Sequence, residues 1–220
     1  MQAERDANMK SKVGIFCIVL GALLLVGALL LALFNMRQDA SAGNAAAQIL
    51  PQLVDQIREN TAKEPTIPEG ESFSELELQV PVDLLTEEDK KMTEVDIDGY
   101  AYIGYLTMPT IGMELPVMST WSYPQLRIAP CRYTGSVRGE DLVLMAHNYS
   151  SHFGKLSQLN IGDALSFTDM DGETTTYKVV AKDILEPAEL EGLGDGTYDL
   201  TLFTCTYGGA NRVTVYCDKA

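Results

Sequence analysis

A thiol and a guanidinium stand seven residues apart near the end of the sequence, Cys205 and Arg212 in "TLFTCTYGGANRVTVYC" (201–217). A cysteine attacks as its thiolate, and a nearby cation favours that form. The segments on either side of the small-residue turn read as strands. Side chains alternate along a strand, so one register can be tested. With Cys205 opposite Arg212, Thr204 faces Val213, Phe203 faces Thr214, Leu202 faces Val215 and Leu200 faces Cys217. Leu200, Leu202, Val213 and Val215 then share a core face, on which Cys217 is a small buried thiol. Cys205 and Arg212 share the other face.

A nucleophilic cysteine needs a proton partner, and the chain has two histidines. His147 ends the apolar run "DLVLMAH", on the face of Val143 and Met145; His152 follows in "SSHFGKL". With ordinary pKa values of ~8.5 for a cysteine and ~6.5 for a histidine, the thiolate–imidazolium pair is about 1% of the neutral pair. A guanidinium raises that fraction and also counters charge on an oxyanion. His147 is a candidate proton carrier, although a strand-end histidine is more often a surface residue, and His152 is expected to be structural or near the substrate. Cys131, in "APCRYTGS", could pair with Cys217, but no spacing argument requires it.

These groups must be positioned by strands. From Gly99 onward the sequence runs in short segments rich in Tyr, Val, Ile and Thr, punctuated by Gly and Pro, which predicts an all-β domain. The expected strands are "YAYIGYLTMP", "MELPVM", "DLVLMAHN", "ALSFTD", "TTTYKVVAKDIL", "DLTLFTC" and "RVTVYCDK". Helix is expected only around "TWSYPQL" and "EPAELEGL". The Asp-Gly of "DMDGE" marks a hairpin; the further ligands of a calcium loop are missing, and no metal and no cofactor is expected. About 120 residues of short strands suffice for one barrel or sandwich.

Ahead of this domain, "VGIFCIVLGALLLVGALLLALF" (13–34) is uncharged over 22 residues. As a helix rising ~1.5 Å per residue it would be roughly 33 Å long, enough to cross a bilayer. Arg5, Lys10 and Lys12 precede it and only Arg37 follows closely, so the expected topology is a cytoplasmic N-terminus (1–12) with the rest outside. The small residues "ASA" (40–42) suit signal-peptide cleavage, but the apolar run exceeds a usual signal core, which favours an uncleaved anchor. Residues 35–98 are expected to be a stalk and an acidic linker. A short helix within 44–60 is expected to begin near Pro51. Residues 64–98 carry 12 acids against 2 bases, two-thirds of the formal charge of −15. That composition reads as a solvated spacer and excludes the basic surfaces that nucleic-acid partners need.

The motifs together resemble one family. "TLFTC" followed by Arg212 resembles the sortase signature TLxTC with its downstream arginine. "LVLMAHNYSSHFGKLSQLNIGD", introduced by "YTGS", is similar to the sortase histidine segment. The resemblance covers about 99–220 and implies a closed β-barrel of about eight strands with short helices. It implies that Cys205 attacks the carbonyl after the threonine of an LPxTG-like sorting signal, that His147 carries the proton, and that Arg212 holds substrate backbone or oxyanion. It further implies that Thr204 helps position substrate. The acceptor would be an amine, from a lipid-linked cell-wall precursor or a pilin lysine.

An aspartate-and-aromatic lid like that of pilus-assembling members is not found ahead of the barrel, and residues 181–199 lie where the family reads its sorting signal. Two rivals differ in chemistry. An L,D-transpeptidase would carry a histidine close before its cysteine in an S-H-G-C-x-R type segment, which is absent. A non-catalytic membrane-tethered binding domain would need no reactive thiol.

Overall fold

The computed structural model describes residues 2–62, 86 and 90–220, with side chains described from residue 15 onward. The chain divides into two compact units, one ending at Ala40 and the other covering Ser41–Ala220. The acidic run expected as a linker falls mostly outside the described residues.

The first unit is the N-terminal part of one long helix, α1 (Gln2–Ala62). Its large apolar side chains from Ile15 to Met36 stand uncovered, and the helix is long and apolar enough to cross a membrane. Helix was expected to restart near Pro51, but α1 runs straight through that residue. Proline removes one helical hydrogen bond, which is costly in isolation. Here the residues around it are held by burial. Ala42, Ala46, Ile49, Leu53 and Ile57 repeat at helical spacing and are all buried, and burial of an aliphatic side chain is worth about 1.5–3 kcal/mol. That stripe also changes the expected boundary: the helix from Ser41 belongs with the barrel and is no free stalk.

The second unit is a closed mixed β-barrel. Its strands are β1 (Val95–Ile97), β2 (Tyr100–Met108), β3 (Met113–Met118), β4 (Cys131–Thr134), β5 (Leu142–Ala146), β6 (Ala164–Asp169), β7 (Thr174–Leu185), β8 (Leu200–Cys205) and β9 (Arg212–Lys219). They are ordered β1-β2-β3-β4-β5-β8-β9-β7-β6, and β6 also pairs with β2. That last pairing closes a ring of eight strands, to which β1 is an appendage. Two neighbouring pairs are parallel, β3 with β4 and β5 with β8; the others are antiparallel. The helical elements expected within the domain are short: α2 (Tyr123–Leu126), capped by the Ser122 side chain, and a 3-10 turn at Pro187–Gly192.

β1 and β4 were not anticipated. β1 is joined to β2 by Asp98 and Gly99, both at positive φ, a two-residue turn whose Asp-Gly pair is its sequence mark. β4 is four residues long and its pairing with β5 shifts register within it, so no alternation can develop. The "DMDGE" segment is a hairpin turn in which the Asp169 carboxylate accepts from the amides of Asp171 and Glu173, each at 3.0 Å.

Two apolar clusters result. One fills the barrel and contains Ile103, Leu106, Leu144, Phe167, Tyr177, Leu202, Val215 and Cys217; the other gathers Ile49, Leu53 and Ile57 of α1 with Tyr102, Met118, Leu126 and Cys131. Cys131 and Cys217 therefore lie in different clusters, and both are free thiols. Burial pushes each of them up to about 12.

Ring closure depends on one glycine. Gly104 sits at a bulge in β2 with φ +146°, and a Cβ there would lie 2.1 Å from the Thr168 carbonyl oxygen of β6. No side-chain rotation relieves a clash with backbone. Gly104→Ala is expected to lower the unfolding free energy by about 3 kcal/mol or more, read by denaturant titration of the far-UV signal. A loss under about 1 kcal/mol would show that β2 and β6 can separate there at little cost.

Candidate active site

The site is built by three adjacent strands ending at one rim of the barrel. β5 and β8 run parallel with Leu142 beside Leu200, Leu144 beside Leu202 and Ala146 beside Thr204. The next step along each strand is His147 and Cys205. β8 and β9 are antiparallel, and their register places Cys205 opposite Arg212, with Thr204 on Val213, Phe203 on Thr214, Leu202 on Val215 and Leu200 on Cys217. Neighbouring strands lie about 4.8 Å apart, so the three residues form a row along the rim.

Alternation decides which way each side chain points. Leu142, Leu144, Ala146, Leu200, Leu202, Val215 and Cys217 belong to the barrel interior. Val143, Met145, Thr201, Phe203, Cys205, Arg212, Thr214 and Tyr216 thus take the outer face. Cys205 is half-buried at the strand end, whereas Cys131 and Cys217 are fully buried.

Thr204, expected to position substrate, lies on the opposite face from Cys205. It is buried, and its hydroxyl donates to the Ala146 carbonyl at 2.8 Å. This bond ties β8 to β5 one residue before Cys205 and His147. On the far side of the row, Asn148 donates to the Thr206 carbonyl at 3.4 Å. The two strands are thus tied both before and beyond Cys205 and His147.

Arg212 is held by the turn that precedes it. Thr206 and Asn211 close this turn: the Thr206 amide donates to the Asn211 carbonyl at 2.8 Å, and the Asn211 amide donates to the Thr206 hydroxyl at 3.1 Å. Gly208 and Gly209 both adopt positive φ, which explains the adjacent glycines. The guanidinium Nη1 donates to the carbonyls of Gly209 and Asn211, each at 3.0 Å. Nε and Nη2 make no bond among the described residues, and both are donors.

His147 begins a compact loop. Its carbonyl accepts from the Phe153 amide at 3.2 Å, and the Tyr149 carbonyl accepts from His152 and Gly154 at 3.0 and 2.9 Å. The Tyr149 ring lies 4.9 Å from the His147 ring and 5.6 Å from that of His152. His152 is fully buried behind Tyr149, so it supports the loop and does not face the rim. Burial, and secondarily the Arg127 cation, holds the His147 imidazole below its ordinary value.

On the outer face below Cys205, aromatic side chains cover the sheet. Tyr133 packs edge-on against Phe203 at 5.3 Å, and Trp121 lies 6.3 Å from Tyr133. Further along, a cavity of about 250 Å³ is lined by Leu185, Leu193, Tyr198, Thr201 and Tyr216, with Glu189 and Asp195 at its wall. Tyr198 stacks on Tyr216 at 4.5 Å. Thr201 and Tyr216 were missed as lining of this cavity. The signal was present: each stands four positions from Cys205 or Arg212 on the same face. Among the described residues, no group of three or more His, Cys, Asp or Glu is placed to hold a metal ion.

The arrangement can perform acyl transfer: a thiol, an imidazole and a guanidinium share one rim. A family model described as the sortase domain matches residues 106–220. A search of the curated proteins found no match. Among solved structures, sortase C from Clostridium perfringens is 21% identical, with 77% of this chain and 88% of that chain covered and a TM-score of 0.50. Sortase C from Streptococcus pneumoniae is also 21% identical, with 77% and 89% covered and a TM-score of 0.50. A lid mutant of sortase A from Corynebacterium diphtheriae is 20% identical, with 80% and 95% covered and the same score. These likenesses concern the fold, while the family model takes in the histidine segment, the cysteine and the arginine. The chain belongs to the sortase family and is a cysteine transpeptidase.

Proposed function

We propose that this enzyme cleaves an LPxTG-like sorting signal after its threonine and transfers the released acyl group to an amine. The observation that carries the reading is the row formed by His147, Cys205 and Arg212 on three neighbouring strands. In this reading the Cys205 thiolate attacks the threonine carbonyl, and Arg212 offers Nε and Nη2 to the oxyanion. His147, as imidazolium, protonates the departing glycine amine, leaving a thioester on Cys205. An incoming amine then gives its proton to His147 and attacks the thioester, which releases an amide and restores the thiolate–imidazolium pair. The acceptor is the amine of a lipid-linked cell-wall precursor or a pilin lysine. Thr204 acts from behind, by keeping β8 in register with β5.

Residues 13–34 anchor the enzyme in the membrane with its N-terminus in the cytoplasm and the catalytic unit outside. The support is the bias of Arg5, Lys10 and Lys12 ahead of the apolar segment.

Protonation sets the pH dependence. The working thiolate–imidazolium form is a minor member of the state in which the pair holds one proton, and burial and Arg127 both disfavour charge on His147. At low pH that state is lost by protonation of the His147 imidazole, so the acidic limb of the rate profile should lie below the ordinary histidine value of ~6.5. Removing the Arg127 cation should raise it. Arg127→Gln is expected to shift the acidic limb of kcat/KM to higher pH while leaving the alkaline limb in place; an unmoved limb would separate Arg127 from the proton carrier.

The central test is trapping. Incubating the enzyme with LPxTG-like peptides and no amine should yield a hydroxylamine-sensitive adduct whose mass maps to Cys205, and none with Cys205→Ala. A varied peptide panel that leaves no adduct would refute the sorting-signal reading. Arg212→Lys is expected to lower kcat/KM by about 100-fold, because an ammonium lacks the planar fork of donors. Near wild-type transfer by that variant would remove Arg212 from the mechanism.

A further inference from the structure

The loop that carries His147 is backed by α1. Gly43 of α1 is so close to the loop that a Cβ added to it would sit 3.0 Å from Ser151 Cβ and 3.5 Å from Ser151 Oγ. Carbon atoms in normal contact stay about 3.5–4.0 Å apart. Ser151 Cβ is bonded to the main chain, so no rotamer change moves it away, and relief requires the loop or α1 to shift by a few tenths of an ångström.

The loop cannot shift at one residue alone. The bond from Phe153 to the His147 carbonyl and the bonds from His152 and Gly154 to the Tyr149 carbonyl knit 147–154 together. Gly154 is itself packed against this knot, since a Cβ there would lie 2.6 Å from the carbonyl oxygens of Asn148 and Tyr149. Displacing Ser151 therefore displaces the chain on both sides, including His147 and the Tyr149 ring beside it.

A second observation points the same way. Ala46, one turn beyond Gly43, belongs to the same apolar cluster as Ala146, Phe153 and Leu156. These residues flank the histidine loop at its start and its end. The buried face of α1 is built of small residues here, Ala42 and Ala46, and of large ones beyond, Ile49, Leu53 and Ile57. Small side chains permit the close approach that the loop requires.

We infer that the Ala42–Ala46 face of α1 is a positioning element for His147, with Gly43 seated on Ser151 to keep the imidazole aligned with Cys205. Gly43 touches no reacting atom and acts through the loop. The element lies outside the family-model match at 106–220, so the catalytic machinery draws on a part of the chain well upstream of it. The inference rests on His147 as the proton carrier.

The test is a double-mutant cycle in the full-length chain in detergent micelles, comparing Gly43→Ala, Ser151→Gly and the double variant. Two readouts are taken: kcat and KM for peptide transfer, and the NMR titration of the His147 imidazole. Gly43→Ala is expected to lower kcat about tenfold with KM little changed, since misaligned groups lose rate before affinity. Its His147 titration should move up toward ~6.5 as the loosened loop admits water. In the Ser151→Gly background, where the clashing Cβ is gone, the same substitution should change neither quantity. The inference is overturned if Gly43→Ala leaves both unchanged, or if its effect is the same in both backgrounds. Should Gly43→Ala fail to fold, the double variant decides: a folded double with the kcat of Ser151→Gly supports the inference, and an unfolded or impaired one overturns it. The titration reads the packing whether or not His147 carries the proton, so failure of the seat is distinguishable from failure of the mechanism.

Discussion

Parallel strands cannot be joined by a tight turn, and β5 and β8 are a parallel pair whose crossover contains β6 and β7. The pairing of those two strands is the constraint on which the site depends. A slip of one residue would carry Cys205 past His147 and turn its side chain into the barrel. The Thr204 hydroxyl on the Ala146 carbonyl acts at the point where such a slip would be felt. β9 adds the third group by ordinary antiparallel pairing, with its turn fixing the guanidinium. The outward thiol and the strand-end imidazole are two consequences of one register.

Much of this was legible because a strand's period is two. The alternation of Leu200, Leu202, Val213 and Val215 restricts β8 and β9 to registers that keep all four on one face, and the observed pairing is one of these. The same period places Cys217 in the barrel. Thr204 was less legible for an instructive reason. Its adjacency to Cys205 in sequence suggests a shared task, yet adjacency along a strand means opposite faces. β4 escaped detection because four residues with a register shift carry no period, and Tyr133, which packs on Phe203, went with it.

α1 shows the other limit of sequence reading. Pro51 is a local stop signal, and locally the argument is sound. It fails because Ile49, Leu53 and Ile57 are buried together against the outside of the barrel, and tertiary packing outweighs intrinsic propensity. Periodicity shows that such a stripe exists but not what will cover it. The small residues at 42, 43 and 46 resemble spacer composition until the loop they face is known.

Closure of the ring by β2 and β6 has a consequence for recognition. β5, β8 and β9 each have a strand partner on both sides, so none of them presents a free edge beside the row of reactive groups. An extended peptide cannot be captured here by joining the sheet, which would read backbone and tolerate many sequences. Under the proposed reading, selectivity for a sorting signal is thus a matter of side-chain pockets and not of main-chain pairing.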